Sequence, residues 1–95
     1  MYISIRKYKS QSPGEVIRRA GEGFVPIISS APGFIAYYIL DAGDGALASI
    51  SIFETQAEAE ESNRMAADWV KQNLAALVEG PPEITAGEVT VHKMK

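Results

Sequence analysis

His92 is the one side chain of this sequence whose ordinary pKa lies near neutrality, which makes it the natural candidate for a general base or a metal ligand. Tyr37, Tyr38, Asn63 and Trp69 add aromatic or polar groups of suitable chemistry. A tyrosine hydroxyl or an indole N–H can hold a developing anion, and their rings can wall a dry pocket. Asn63 can donate or accept at a pocket mouth. Each residue also has an ordinary structural reading. Trp69 and Tyr37 suit a core or an interface, Asn63 a solvated helix face, and His92 a surface or interface. Arg6 can orient an anionic substrate, and beside Glu54 or Glu88 it reads more simply as a surface or interface ion pair.

Composition removes several alternatives. There is no cysteine, so disulfides, thiolate catalysis and Cys-ligated zinc or iron–sulfur sites are excluded. The net charge is −3, and the chain lacks the cationic surface that neutralising several phosphates requires, so nucleic acid is not an expected partner. Residues 41–45 lack the spaced oxygen ligands of a calcium loop, and no metal or other cofactor is expected. No segment approaches the ~20 apolar residues of a membrane span, and residues 1–8 alternate instead of forming a signal sequence, so the expectation is a cytoplasmic protein with no membrane segment. A length of 95 residues, 46% apolar and 22% charged, predicts one globular domain over residues 1–95.

Periodicity supplies the elements that would position these groups. Residues 2–8 alternate, with Ile3 and Ile5 on one side and Tyr2, Ser4, Arg6 and Tyr8 on the other, which predicts a strand. Ser12, Pro13 and Glu15 read as a capping box opening a helix with the stripe Val16, Ile17, Ala20, Phe24 and Ile27 or Ile28. Gly21, Gly23 and Pro26 predict that this helix kinks or ends early. Residues 34–40 and 46–53 read as strands joined by the turn chemistry of residues 41–45. Thr55 and Glu58 make a second capping box, and the helix they open is predicted to run to Val78. Its inner side carries Ala59, Ser62, Ala66, Trp69 or Val70, Asn73 and Leu77. Residues 89–94 alternate and read as a last strand holding His92.

This βαββαβ order predicts an α+β, ferredoxin-like domain with a four-stranded antiparallel sheet and two helices on one face. Ile3, Ile5, Ala46, Ala48, Ile50, Ile52, Val89 and Val91 are assigned to the face beneath the helices. With Leu40 paired to Ala46, the residues Ile35, Tyr37, Ile39, Leu47 and Phe53 fall on the other face beside Tyr2, Tyr8 and Met94. An apolar face of that size is expected to be covered by a second copy in a homodimer.

Several segments together resemble the antibiotic biosynthesis monooxygenase superfamily over nearly the whole chain. They are Arg6 to Tyr8, Pro32-Gly33-Phe34 with Tyr37, Ser51-Ile52-Phe53-Glu54, and the helix pattern Ala59, Ser62, Ala66, Trp69, Val70. The resemblance implies a dimeric α+β barrel with a small apolar pocket between helices and sheet. It does not imply one reaction, since the family includes cofactor-free oxygenases, quinol oxygenases and haem-degrading enzymes. The haem branch uses an Asn, a Trp and a helix-borne His, whereas no Asn lies on the first strand and His92 reads as strand. Two function classes follow. One is a cofactor-independent monooxygenase for a small aromatic or quinol, with Tyr37, Asn63 and Trp69 at the ligand and His92 or water moving protons. The other is a non-catalytic homodimer that binds a small hydrophobic molecule or serves an interaction role.

Overall fold

Strand β1 (Tyr2–Lys9) leads into a helical segment of three parts: α1 (Pro13–Arg19), a π-helical turn (Ala20–Phe24) and α2 (Val25–Ser29). Strands β2 (Phe34–Gly43) and β3 (Ala46–Phe53) form a hairpin, followed by α3 (Gln56–Asn73) and β4 (Glu83–Glu88). The computed structural model describes residues 1–95. Its sheet is antiparallel throughout in the order β2-β3-β1-β4, the ferredoxin-like arrangement that the element order predicts.

The first helical segment neither kinks to a stop at its glycines nor stays a plain α-helix. Its buried residues Val16, Ala20, Phe24 and Ile28 recur every four positions. In an α-helix of 3.6 residues per turn such a stripe would drift around the axis. The wider π turn at Ala20–Phe24 takes up that drift and keeps all four on the sheet. It also places Pro26 in the first turn of α2, where a missing N–H costs least. Ser12 flanks α1 without a side-chain cap, so the first capping box is not made; Thr55 does cap α3, accepting from the Glu58 amide at 3.2 Å.

The β2–β3 connection is a two-residue turn. Asp44 and Gly45 both have positive φ, 54° and 79°, the requirement of a tight hairpin that matches strand twist. Gly43 pairs with Ala46 and Leu40 with Ala48, two residues along from the pairing expected.

The last strand differs most. Residues 83–88, not 89–94, pair with β1, and residues 89–95 lie beyond the sheet. Strand pairing is made by backbone groups, and an exposed edge strand needs no alternating apolar pattern, so Glu83-Ile84-Thr85-Ala86-Gly87-Glu88 carries no strand signal of its own. The chain can return this early because α3 stops at Asn73. Leu74 caps it, donating its amide to Val70 O at 2.8 Å and turning a buried side chain inward.

The two sheet faces are grouped as expected but covered on the opposite side. The helices pack on the face of Tyr2, Tyr8, Tyr37, Ile39, Leu47 and Phe53. The register pairs Ile3 with Ile52 and Ile5 with Ile50, and with Leu40 and Tyr38 these make up the open face. Ile35, at a β2 irregularity, is 43% exposed. The inversion has a local cause: the covered face also carries Ser4, Arg6, Ser49 and Ser51, whose polarity resembles a solvent face although all four are buried. No helix is long and apolar enough to cross a membrane.

Candidate functional site

Alternation in β1 sends Ser4 and Arg6 towards α3, and alternation in β3 sends Ser49 and Ser51 the same way. Register then sets Arg6 opposite Ser49 and Ser4 opposite Ser51. From above, α3 contributes Ser62 and Asn63 to the cluster. Arg6 is only 1% exposed. Its Nε and Nη2 donate to Ser49 Oγ at 3.1 and 2.9 Å. Its Nη1 donates to Ser51 Oγ at 3.2 Å and to Asn63 Oδ1 at 2.6 Å. The amide of Asn63 is fixed in turn, donating from Nδ2 to Ser4 Oγ at 3.1 Å, while Ser62 donates to Ala59 O at 2.6 Å.

All of these partners are neutral, and Arg6 has no carboxylate. The surface ion pair expected for it is not formed: Glu88 holds the Met1 ammonium at 3.2 Å, and Glu54 is exposed. A guanidinium stays charged at any working pH, and an unpaired buried cation is costly. Burial lowers the Arg6 pKa, offset in part by the nearby hydroxyls of Tyr8 and Tyr37. Burial pushes the Tyr8 phenol up against the pull of Arg6, so Tyr8 stays neutral and cannot balance the charge. Each guanidinium nitrogen has an acceptor, so its hydrogen bonding is met while the full positive charge is left unanswered.

Two spaces adjoin this cluster. The inner one, between the helices and β2–β3, is lined by Tyr8, Phe24, Tyr37, Ser49 and Trp69 among apolar neighbours, with a volume of about 30 Å³. One water needs roughly 10–15 Å³, so this cavity suits two small molecules and no aromatic ring. Phe24 fixes its walls, edge-on to Tyr37 at 5.7 Å and tilted against Trp69 at 5.5 Å. Gly23 lets the indole lie close, because a Cβ there would fall 2.8 Å from Trp69 Cζ2.

The outer space is a groove of about 330 Å³ between α3, β4 and the segment joining them. Arg6, Tyr8, Asn63 and Lys71 supply its polar groups, and Val70, Val78 and Ile84 are among its apolar walls. Its size falls within the roughly 300–1,000 Å³ of small-molecule pockets. Tyr8, Val70 and Val78 border both spaces and so partition them.

The sequence candidates therefore separate. Tyr37 and Trp69 line the inner cavity, and Asn63 lines the groove and holds Arg6. Tyr38 is 58% exposed on the open face. His92 is exposed beyond β4 and lines neither space. Sequence periodicity alone does not mark Arg6 as a buried centre or Lys71 as a groove residue. The available signal was the matching phase of Ser4, Arg6 and Ser49, Ser51 on two strands that must pair.

No protein-family model and no curated protein matches the sequence. Solved structures do match the fold. A monooxygenase from the gene ActVA-Orf6 of Streptomyces coelicolor, in complex with nanaomycin D, aligns with a TM-score of 0.78 at 16% identity, covering 99% of this chain and 91% of that one. SnoaB, a cofactor-independent oxygenase from Streptomyces nogalater, aligns with a TM-score of 0.75 at 13% identity, covering 96% and 94%. The haem-degrader MhuD from Mycobacterium tuberculosis, with two haems bound in its active site, aligns with a TM-score of 0.77 at 14% identity, covering 99% and 100%. The chain thus has the fold of antibiotic biosynthesis monooxygenase-like proteins, as its sequence resemblance implies.

Proposed function

We propose that this chain is a cofactor-independent monooxygenase of a small aromatic phenol or quinol, acting as a homodimer whose subunits meet through the open sheet faces. The observation that carries the reading is Arg6: a buried cation without an acid, fixed by neutral hydrogen bonds at the wall of a ligand-sized groove. A cation held in a low-dielectric site favours the ionised form of a phenol beside it. The deprotonated substrate can then pass an electron to dioxygen. After recombination at carbon and O–O cleavage, one oxygen enters the product and the other leaves as water, with both electron pairs coming from the substrate. Arg6 holds the substrate anion and Asn63 orients Arg6. Tyr37 and Trp69 keep the inner cavity dry beside it, at a size that suits dioxygen. The phenolic proton leaves to water at the groove mouth, and His92 has no part in this reading. Fold likeness to SnoaB and to the ActVA-Orf6 monooxygenase supports it.

A haem-dependent reaction like that of MhuD fits the residues poorly. Neither space is lined by a His, Cys or Met, and the Tyr8 phenol is held neutral. Dimerisation is supported by the open face, where Tyr38 and Leu40 remain 58% and 42% exposed beside Ile50 and Ile52. We also place the protein in the cytoplasm, because a chain without cysteine needs no oxidising compartment.

One observation favours the second reading, a binding protein without turnover: no carboxylate or imidazole lines the groove to take the proton. Oxygen uptake with a panel of phenols and quinols, read beside ligand-induced thermal stabilisation, separates the two. Oxygen consumption abolished by Asn63→Ala in a folded protein is the expected result. Stabilisation by the same compounds without any uptake would replace the oxygenase with the binder.

A further inference from the structure

The groove carries two cations in different settings. Arg6 lies buried at its inner wall, whereas Lys71 stands exposed on α3 at its rim. No Asp or Glu lines it, although the chain as a whole carries a net charge of −3. Of the acids near Lys71 in sequence, Asp68 accepts from Arg64 at 3.2 Å, and Glu79 lines a separate cleft with Lys9 and Asp44. Lys71 itself forms no ion pair with any acid of the chain. Ala67, Val70, Ile84 and Pro82 are among the groove's other walls.

We infer that the groove selects a hydroxylated aromatic carboxylic acid, with its phenolic oxygen on Arg6, its ring against Val70 and Ile84, and its carboxylate on Lys71. The inference rests on reading the groove as the ligand site and adds the substrate class. A flat ring fills the apolar span and brings one anionic group to each end. The inner end calls for the weaker acid, because only there does a desolvated cation act strongly enough to ionise a phenol. The rim calls for a permanent anion that stays partly hydrated beside an exposed ammonium. Lys71 is thus a specificity residue, and Arg6 the group that touches the reacting end.

The test uses the full chain and three probes: 6-hydroxy-2-naphthoate, 2-naphthol and 2-naphthoate. Dissociation constants are measured calorimetrically for the native protein and for Lys71→Gln, whose exposed position leaves the fold intact. The hydroxynaphthoate should bind about fivefold more tightly than 2-naphthol, the upper end for an ion pair at a wet rim. Lys71→Gln should remove that advantage and leave 2-naphthol unchanged, and 0.5 M salt should do the same to the native protein. The absorbance of bound 2-naphthol should show its hydroxyl pKa lowered by about one unit or more. Equal affinity for the hydroxynaphthoate and 2-naphthol, or an unchanged hydroxynaphthoate affinity in Lys71→Gln, would overturn the inference. So would a raised pKa for the bound naphthol. Selective binding without oxygen uptake would sink the oxygenase reading alone; uptake on neutral quinols with no carboxylate preference would sink this one alone.

Discussion

The face of the sheet that the helices cover is polar at its centre, with Ser4, Arg6, Ser49 and Ser51 all buried. The face they leave open presents Ile3, Ile5, Ile50 and Ile52 in register, flanked by Tyr38 and Leu40. A domain optimised only for burial would reverse the two. The covered polar patch has a complete set of hydrogen-bond partners yet keeps an unbalanced charge, which suits a place for a ligand better than a stabilising core. The apolar face, by contrast, carries the surface that a second subunit would remove from water. On the proposed reading, one sheet divides two tasks between its faces, recognition within the subunit and assembly outside it.

The sharpest way to break this contrast is to strike each face once. Phe53 is fully buried at the end of the covered face, edge-on to Phe34 at 5.9 Å. Phe53→Ala should cost about 3–5 kcal/mol. In a chain of this size that lowers Tm by more than about 12 °C in a thermal melt. Ile50→Lys, on the open face, should instead split the dimer, and light scattering should fall from about twice 10.3 kDa to the single-chain mass. If Ile50→Lys leaves the mass of a dimer unchanged, the open face is not the interface.

A smaller effect tests the covered face by pH. Burial raises the Tyr8 pKa above its ordinary value of 10.0, so the folded chain retains a proton that the unfolded chain releases first. That contribution is complete below pH 10 and is lost as pH rises towards the folded pKa. Tyr8→Phe should flatten this alkaline limb in urea titrations from pH 8 to 11, and an identical limb in both proteins would remove Tyr8 as its source.

The smallest change belongs to the solvent side of α1. Arg18 and Arg19 hold the Glu15 carboxyl down to about 2, so its contribution is present above the unfolded value near 4.5 and fades as pH falls towards 2. These pairs are exposed. Glu15→Gln should therefore shift the acid transition only slightly, and 1 M salt should erase the difference.

Much of this molecule is legible in its residues. The stripe Val16, Ala20, Phe24, Ile28 and the seam Ala59, Ser62, Ala66 are buried as periodicity predicts. The hairpin follows from the glycines around Asp44. Three features resist such reading for distinct reasons. Apolar alternation shows which residues share a face but not which face the helices choose, and Ser4 and Arg6 resemble solvent groups until their partners on β3 and α3 are known. An edge strand such as β4 is specified by its neighbour's backbone, which leaves no mark in its own side chains. Arg6 is the clearest case, because its role depends on the absence of any acid nearby, and absence is a property of three dimensions.

The π turn at Ala20–Phe24 has a consequence for the length of the first helical segment. A single widened turn accommodates one residue more than a regular α-helical turn, locally, so that both flanks keep their places. The first helical segment is thus one residue longer than a plain helix between the same end points would be. Removing Gly21 would change the spacing of Val16, Ala20, Phe24 and Ile28 from 4, 4, 4 to 4, 3, 4, the stripe of a plain α-helix, so regular winding could return with all four still on the sheet.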